Sequence, residues 1–307
     1  LSSLYKRNLS EEIEIDRLLN ENLLDWNMIA GLILNHRLAG YIMYNLNEKF
    51  FHKFPEELFE SLRLLVISQK IFTQELIKEA NSIFGDLHKA NVKYVALKGI
   101  IFNASIYKIG TRRSSDIDIL ITEDQIAKLD FVMRKNGYIQ SLLPNGEFIE
   151  ASEKEKKRNN NSYDLVSYVK QINNQYLSVL EVDINYRFDS ANNEITNDIF
   201  DFGIIGYSDN GIKVNGLAWE TFLLQLCVQN YRDNHTNFIK HGSKSILLYK
   251  LVDIINVIRE DRFFSKTFGT FIELTRKFNL ENEVHFALSL VSQFFDDADI
   301  SRLNNKI

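Results

Sequence analysis

Cysteine is nearly absent from this 307-residue sequence, which contains only Cys227. A single cysteine excludes an internal disulfide, so no covalent cross-link within the chain supports the fold. Cys227 lies in the apolar run Thr221–Val228. We therefore interpret it as a small buried hydrophobic residue rather than as a nucleophile.

The sequence also lacks long apolar runs and an excess of positive charge. No apolar stretch approaches the roughly 20 residues that span a bilayer, and the N-terminal residues contain no signal-peptide core. We therefore expect a cytoplasmic protein without membrane contact. The formal net charge of −5 provides no general attraction to nucleic acid, so long nucleic acids are not expected as substrates.

The chain is long enough for one large domain or two ordinary ones. Its apolar spacing predicts a helical N-terminal region at 1–90, a core at 91–215 and a helical C-terminal region at 216–307. Within the core, residues 189–215 are expected to form loops with short strands. Asn215-Gly216 is expected to be a turn that starts the next helix.

The stretch Tyr94–Thr122 contains the clearest pattern in the sequence. It predicts a buried strand, a glycine turn, a helix, a basic loop and a second strand, which are, in order, Tyr94–Leu97, Lys98-Gly99, Ile100–Tyr107, Thr111–Ser115 and Ile117–Thr122. A helix is predicted to follow from Glu123 to about Asn136. Gly137 is predicted to end that helix as a left-handed cap.

Two carboxylates stand at the start of the second predicted strand. Asp116 and Asp118 are two residues apart, so both side chains point to the same face of a strand. Two adjacent carboxylates repel each other unless a cation lies between them, and Mg²⁺ prefers oxygen ligands of this kind. The alternative is a solvated strand end.

Positive charge and a flexible backbone surround these carboxylates in the sequence. Gly99 allows the backbone to approach a phosphate closely, at the predicted start of a helix. The candidate nucleotide-binding residues are Lys98, Gly99, Arg112, Arg113 and Ser115. For Lys98 and Arg112 the alternative is an ordinary surface position.

A β-hairpin is predicted at 162–188, with its turn at 172–175. On its second strand Glu181, Asp183 and Asn185 share one face. Acidic side chains in a central strand are costly unless they are paired or bound to a metal. The alternative is a half-exposed strand with solvated acids.

The pattern resembles that of the polymerase-β-type nucleotidyltransferase superfamily. Within it, the chain is most similar to the bacterial "uncharacterised nucleotidyltransferase" family, which has Lys-Gly where better-known members have Gly-Ser. The matching residues are Leu97, Lys98, Gly99, Tyr107, Arg113, Asp116, Asp118, Leu120, Gly137 and Tyr138. The resemblance implies an α+β fold in which helical N- and C-terminal regions flank a small mixed sheet.

The resemblance also implies a reaction and a set of catalytic residues. The reaction is transfer of an NMP group from an NTP to a hydroxyl of a small molecule, a peptide or natural product, or a protein. The cofactor is Mg²⁺ (or Mn²⁺), held by Asp116, Asp118 and a third carboxylate on a neighbouring strand. That role is assigned to Glu181, with Asp183 as a close second, and all four acids are catalytic candidates.

The chain departs from the family pattern at two positions. Glu181-Val182-Asp183 replaces a Glu-x-His, and Gln229 replaces the histidine of a Leu-x-x-His. Asp253 matches a family aspartate. It either holds Tyr231 or Arg232 in place or faces the cleft, and we favour a structural role. Other functions stay open: a non-catalytic nucleotide-binding or regulatory protein, including a toxin–antitoxin component, or a kinase-like phosphotransferase.

Overall fold

The computed structural model describes residues 9–20, 24–46, 48–160, 164–191, 195–241, 246–260, 268–295 and 297–307. The chain forms two compact units. The helical unit takes its described residues from 1–70, 110–113 and 226–307, and the sheet unit from 71–109 and 114–225. Both units are discontinuous in sequence, whereas the predicted domains 1–90, 91–215 and 216–307 are continuous segments.

Helices form most of the described chain. They are α1 (Leu9–Asn20), α2 (Trp26–Asn35), α3 (Ala39–Asn45), α4 (Glu56–Lys89), α5 (Lys98–Asn103), α6 (Ile126–Lys135), α7 (Glu153–Asn160), α8 (Ile195–Phe202), α9 (Trp219–His241), α10 (Leu248–Ile258), α11 (Phe268–Lys277), α12 (Glu281–Phe294) and α13 (Ala298–Asn304). Short 3₁₀ segments lie at Glu48–Lys53, Glu123–Gln125 and Pro144–Gly146. Among the residues described, no helix has both the length and the apolar character needed to cross a membrane.

The sheet unit contains one mixed seven-stranded sheet. Its strands are β1 (Tyr94–Ala96), β2 (Ile117–Ile121), β3 (Ile139–Gln140), β4 (Tyr168–Gln171), β5 (Val179–Asn185), β6 (Ile204–Asp209) and β7 (Ile212–Leu217). The order across the sheet is β3-β4-β5-β2-β1-β7-β6. β2 and β5 run parallel, as do β1 and β7, and the other neighbours are antiparallel. The expected α+β fold with a small mixed sheet is therefore confirmed.

The burial of β5 shows which face of the sheet is open. Leu180, Val182 and Ile184 are almost completely buried, while the residues between them are half-buried. Alternation of this kind means that one face of the strand packs into the core and the other remains partly accessible. The accessible face is the one that carries Glu181 and Asp183.

The local predictions around the core motif agree well with the structure. β1, β2 and the β4–β5 hairpin lie where they are predicted, although α5 occupies Lys98–Asn103 rather than Ile100–Tyr107. Gly137 has a φ of +82°. Its N–H donates to the Arg134 carbonyl and the Tyr138 N–H to the Met133 carbonyl. This bonding pattern is the Schellman cap that glycine favours at a helix C-terminus.

The prediction for residues 189–215 is right about the short strands and misses a helix. The segment contains the helix α8 and nearly all of the β6–β7 hairpin, whose turn is Asn210-Gly211 with φ values of +51° and +79°. Two consecutive left-handed residues make the tight hairpin turn for which Asn-Gly is the preferred sequence. The Asn210 side chain also donates to the Asn103 and Tyr107 carbonyls, which ties the turn to the loop after α5.

Asn215-Gly216, predicted as a turn, lies inside β7 instead. Gly216 is needed there because of close packing. A Cβ at this position would lie 2.5 Å from Ile101 Cδ1 and 2.7 Å from a ring carbon of Tyr207. The glycine therefore marks a close approach of side chains to the strand.

Candidate active site

The acidic face of the sheet is built by two parallel strands. Asp118 of β2 pairs in register with Asp183 of β5. Neighbouring strands are about 4.8 Å apart, and residues in register point to the same face. Asp118 is only 6% exposed. The fold thus brings two carboxylates from distant parts of the sequence to adjacent positions.

Asp116 and Glu181 extend this acidic face by one further row. They precede Ile117 and Val182, which are the first pair in the register between β2 and β5. Each is two residues before Asp118 or Asp183, so strand alternation directs it to the same face. Both residues are half-buried. The strand positions that the sequence singles out therefore lie side by side in the sheet.

Lys98 supplies positive charge beside Asp118. Its Nζ lies 2.7 Å from Asp118 Oδ1, and the preceding Leu97 N–H donates to the Asp118 carbonyl at 2.9 Å. Lys98 has a φ of +47°, a conformation that non-glycine residues rarely adopt. Strained backbone of this kind is found preferentially at functional sites. Gly99 follows, buried in the first turn of the six-residue helix α5.

The carboxylates influence one another through their charges. Burial raises the pKa of Asp183, and the negative charges of Asp118 and Glu181 raise it further. A hydrogen bond from the Ser167 hydroxyl, 2.6 Å from Asp183 Oδ1, and the Lys98 ammonium act in the opposite direction. Asp183 is thus in an environment that disfavours its negative charge unless a further cation is present.

A further acid, Asp164, lies at this face and is not among the residues predicted from the sequence. It forms an isolated antiparallel bridge with Asn185, the last residue of β5. Partial burial of its carboxyl raises the pKa of Asp164 to about 6, and the charges of Asp183 and Asp118 act in the same direction, against that of Lys98. The residue as a whole remains exposed, at the edge of the acidic face.

Arg112, one of the predicted nucleotide-binding residues, is buried, and its contact with a nucleotide stays a prediction. It belongs to the helical unit, where its Nε lies 2.8 Å from Asp253 Oδ2 and its guanidinium stacks on the Tyr249 ring. Asp253 also accepts a hydrogen bond from the Tyr41 hydroxyl at 3.0 Å.

Asp253 thus contacts Arg112 and Tyr41, which agrees with a structural role, and the expected contacts with Tyr231 or Arg232 stay predictions. Arg232 pairs with Glu283. Arg113 and Ser115 are exposed, and their contacts with a nucleotide stay predictions.

The donor atoms of this face are chemically suited to Mg²⁺ or Mn²⁺. They are carboxylate oxygens in adjacent rows, and a divalent cation would relieve the repulsion between Asp118 and Asp183. In the described residues no group of three acidic, histidine or cysteine side chains is already gathered to hold a metal. Lys98 occupies one oxygen of Asp118 instead. The residues fit the metal by the chemistry of their oxygen donors.

Comparison of the sequence with known protein families agrees with this α+β fold and its acidic sheet face. A sequence profile of the "Uncharacterised nucleotidyltransferase" family matches residues 22–296, and the chain belongs to this family. No curated protein sequence matches the chain.

Several solved chains are similar to this chain, and one of them is an example of low identity. It is the crystal structure of an antigenic nucleotidyltransferase-like protein from Paracoccidioides brasiliensis, with 16% sequence identity and coverage of 79% of this chain and 92% of that chain. The TM-score is 0.40, which is too low to support a conclusion about fold or function.

Proposed function

We propose that this chain is a metal-dependent nucleotidyltransferase that moves an NMP group from an NTP to a hydroxyl of an acceptor. The observation that supports the proposal most strongly is the pairing of Asp118 with Asp183 on adjacent parallel strands. The acceptor is a small molecule, a peptide or natural product, or a protein.

The proposed reaction is an in-line displacement at phosphorus. The acceptor oxygen forms a bond to the α-phosphorus, and the bond from that phosphorus to the oxygen bridging to the β-phosphorus breaks. Pyrophosphate leaves with the bonding electron pair, and the hydroxyl proton passes to solvent. Mg²⁺ or Mn²⁺, when bound, neutralises charge on the phosphates and the attacking oxygen.

The side chains of the sheet face divide the remaining tasks. Asp116, Asp118, Asp183 and Glu181 hold the cation through their carboxylate oxygens. Lys98 exchanges the Asp118 carboxylate for the triphosphate, because a mobile ammonium is a suitable partner for phosphate oxygens. This exchange would leave the Asp118 oxygen available to a cation. Gly99 leaves the backbone beside Lys98 without a side chain that would obstruct the phosphates.

The proposal is tested by calorimetric titration of ATP, GTP, CTP and UTP, with and without Mg²⁺. Wild-type protein is expected to bind at least one NTP more than tenfold more tightly with Mg²⁺. Asp118→Asn is expected to lose this metal-dependent gain. Asp201→Asn, an exposed aspartate of the same unit that pairs with Lys93, is the matched control and should bind like wild type. Metal-independent binding in all three proteins would contradict the proposal.

A nucleotide-binding protein without catalysis is the second candidate function. It is favoured by the Lys98–Asp118 ion pair, which neutralises Asp118 without a metal. Incubation with the bound NTP and Mg²⁺ separates the candidates by product. Pyrophosphate indicates nucleotidyl transfer, a nucleoside diphosphate indicates a kinase-like reaction, and unchanged NTP in the presence of a broad set of hydroxyl acceptors favours binding alone.

A further inference from the structure

The ladder between β4 and β5 is interrupted by one extra residue. Tyr168 lies opposite Val182, and an uninterrupted ladder would place residue 164 opposite residue 186. The structure pairs Asp164 with Asn185 instead. Three residues on the β4 side therefore face two on the β5 side, which is the arrangement of a β-bulge.

This offset changes the face to which Asp164 belongs. In an uninterrupted ladder, Asp164 would share the buried face of Tyr168 and Val182, because the side-chain period of a strand is two residues. Paired with Asn185, it shares the face of Asp183, the accessible acidic face. Bulges next to active sites commonly redirect a side chain in this way.

The strand order places Asp164 on the far side of Asp183 from Lys98, two residues further along β5 in the register position of Asn185. Lys98 follows β1, Asp118 is on β2, Asp183 is on β5, and Asp164 precedes β4, and these strands are consecutive neighbours in the sheet. The electrostatic influence of Asp183, Lys98 and Asp118 on Asp164 agrees with this arrangement. If the triphosphate lies at Lys98 and Gly99, Asp164 lies on the opposite side, where the acceptor must approach for in-line attack.

We propose that Asp164 is a further cation-binding carboxylate of this site, on the acceptor side of Asp183. The inference rests on the proposed nucleotidyltransferase function. Asp164 and Asp183 together hold the cation near the attacking hydroxyl, while Asp118 and Lys98 serve the triphosphate side. The exposed position of Asp164 suits this role, since the acceptor arrives from solvent.

The test is a titration with Mn²⁺ in which free Mn²⁺ is measured by electron paramagnetic resonance. The protein is saturated with whichever of ATP, GTP, CTP or UTP binds to wild type. Wild type is expected to bind two Mn²⁺ ions with different affinities. Asp164→Asn should raise the Kd of the more weakly bound Mn²⁺ at least tenfold. It should change the Kd of the more tightly bound Mn²⁺ by less than twofold. Asp164→Glu, which keeps a carboxylate, should recover part of the loss.

Two further variants make the result specific. Asp118→Asn should lower the affinity for both Mn²⁺ ions, and Asp201→Asn should lower neither affinity. Thermal unfolding of each protein checks the fold, and Asp164→Ser replaces Asp164→Asn if that variant unfolds. If Asp164→Asn binds both ions like wild type, or weakens both equally, the inference is overturned while the proposed function stands. If wild type binds no Mn²⁺ with any NTP, the proposed function fails as well.

Discussion

Arg112 and Asp253 form a buried ion pair across a sequence separation of 141 residues, with 2.8 Å between Nε and Oδ2. Arg112 lies only four residues before Asp116 in the sequence. Gly40 of α3 packs against the same segment so closely that a Cβ there would lie 2.2 Å from the Thr111 carbonyl oxygen. The short segment Gly110–Arg113 is thus fixed within the helical unit by one ion pair and one glycine contact.

Removing the Asp253 carboxylate is expected to destabilise the helical unit. Asp253→Ala leaves a buried guanidinium without its counter-charge, which costs about 3–5 kcal/mol of unfolding free energy. Urea denaturation measures this cost. Arg113→Ala, which removes the exposed neighbouring arginine, is the matched control and should change stability by less than about 0.5 kcal/mol. Similar values for the two variants would show that the buried pair does not stabilise the unit.

Two glycines on paired strands allow a sharp test of packing in the sheet unit. Gly216→Ala should cost about 1–3 kcal/mol, because its Cβ would collide with Ile101 and Tyr207. Gly206→Ala on β6 is the control, since a Cβ there meets no atom within 4 Å. The difference in thermal midpoint between the two variants is the readout. Equal midpoints would contradict the close approach at Gly216.

The pKa of Asp164 predicts a pH effect on the stability of the metal-free protein. Because the folded-state pKa is about 6, above the ordinary 3.8, the folded protein keeps the proton over a range in which the unfolded chain has lost it. The contribution of Asp164 is therefore absent below about pH 4. It becomes destabilising as the pH rises to about 6, and is constant above that.

Comparison with Asp164→Asn isolates this contribution. The free energy of unfolding of the variant should equal that of wild type at pH 4. At pH 7 it should be higher than that of wild type by on the order of 1 kcal/mol, a small value because solvent screening reduces the effect at an exposed residue. Guanidinium denaturation at both pH values measures the difference. A stability difference that is the same at pH 4 and pH 7 would contradict the raised pKa.

Cys227 should be unreactive in the folded protein. The side chain is completely buried in α9, and burial raises the pKa of its thiol, so almost no thiolate is present at neutral pH. A chromogenic disulfide reagent at pH 7.5 should detect less than about a tenth of one thiol per chain over minutes, and a full thiol after unfolding in guanidinium. Rapid reaction of the native protein would show that Cys227 is accessible.

The parts of the fold that the sequence predicts are those specified locally. The Asp116-x-Asp118 spacing fixes a common face because strand alternation depends only on neighbouring residues. Gly137 ends α6 as expected for the same reason. The wrong turn at Asn215-Gly216 shows the limit of local reasoning. Two Asn-Gly pairs occur within seven residues, and the second one packs against Ile101 and Tyr207 inside a strand.

The residues that the sequence does not predict depend on distant pairing. Asp164 reaches the acidic face only through the offset in the β4–β5 ladder, and no local sequence pattern predicts that offset. Arg112 lies in a basic loop, where contact with phosphate is a reasonable expectation, and its partner Asp253 is far away in the sequence. The buried ion pair of Arg112 therefore depends on a residue that the local sequence does not show.

The segment Gly110–Arg113 has a consequence for synthesis of the protein on the ribosome. At about 5–20 residues per second, Asp253 follows Arg112 after roughly 7 to 28 seconds. Throughout that interval the segment just before Asp116 has no counter-charge from Asp253. β1 is translated before the interval begins, and β2 and β5 are translated within it. The nascent chain therefore contains every strand of the acidic face before its neighbouring segment can be anchored, and the final docking of Arg112 is a late event in folding.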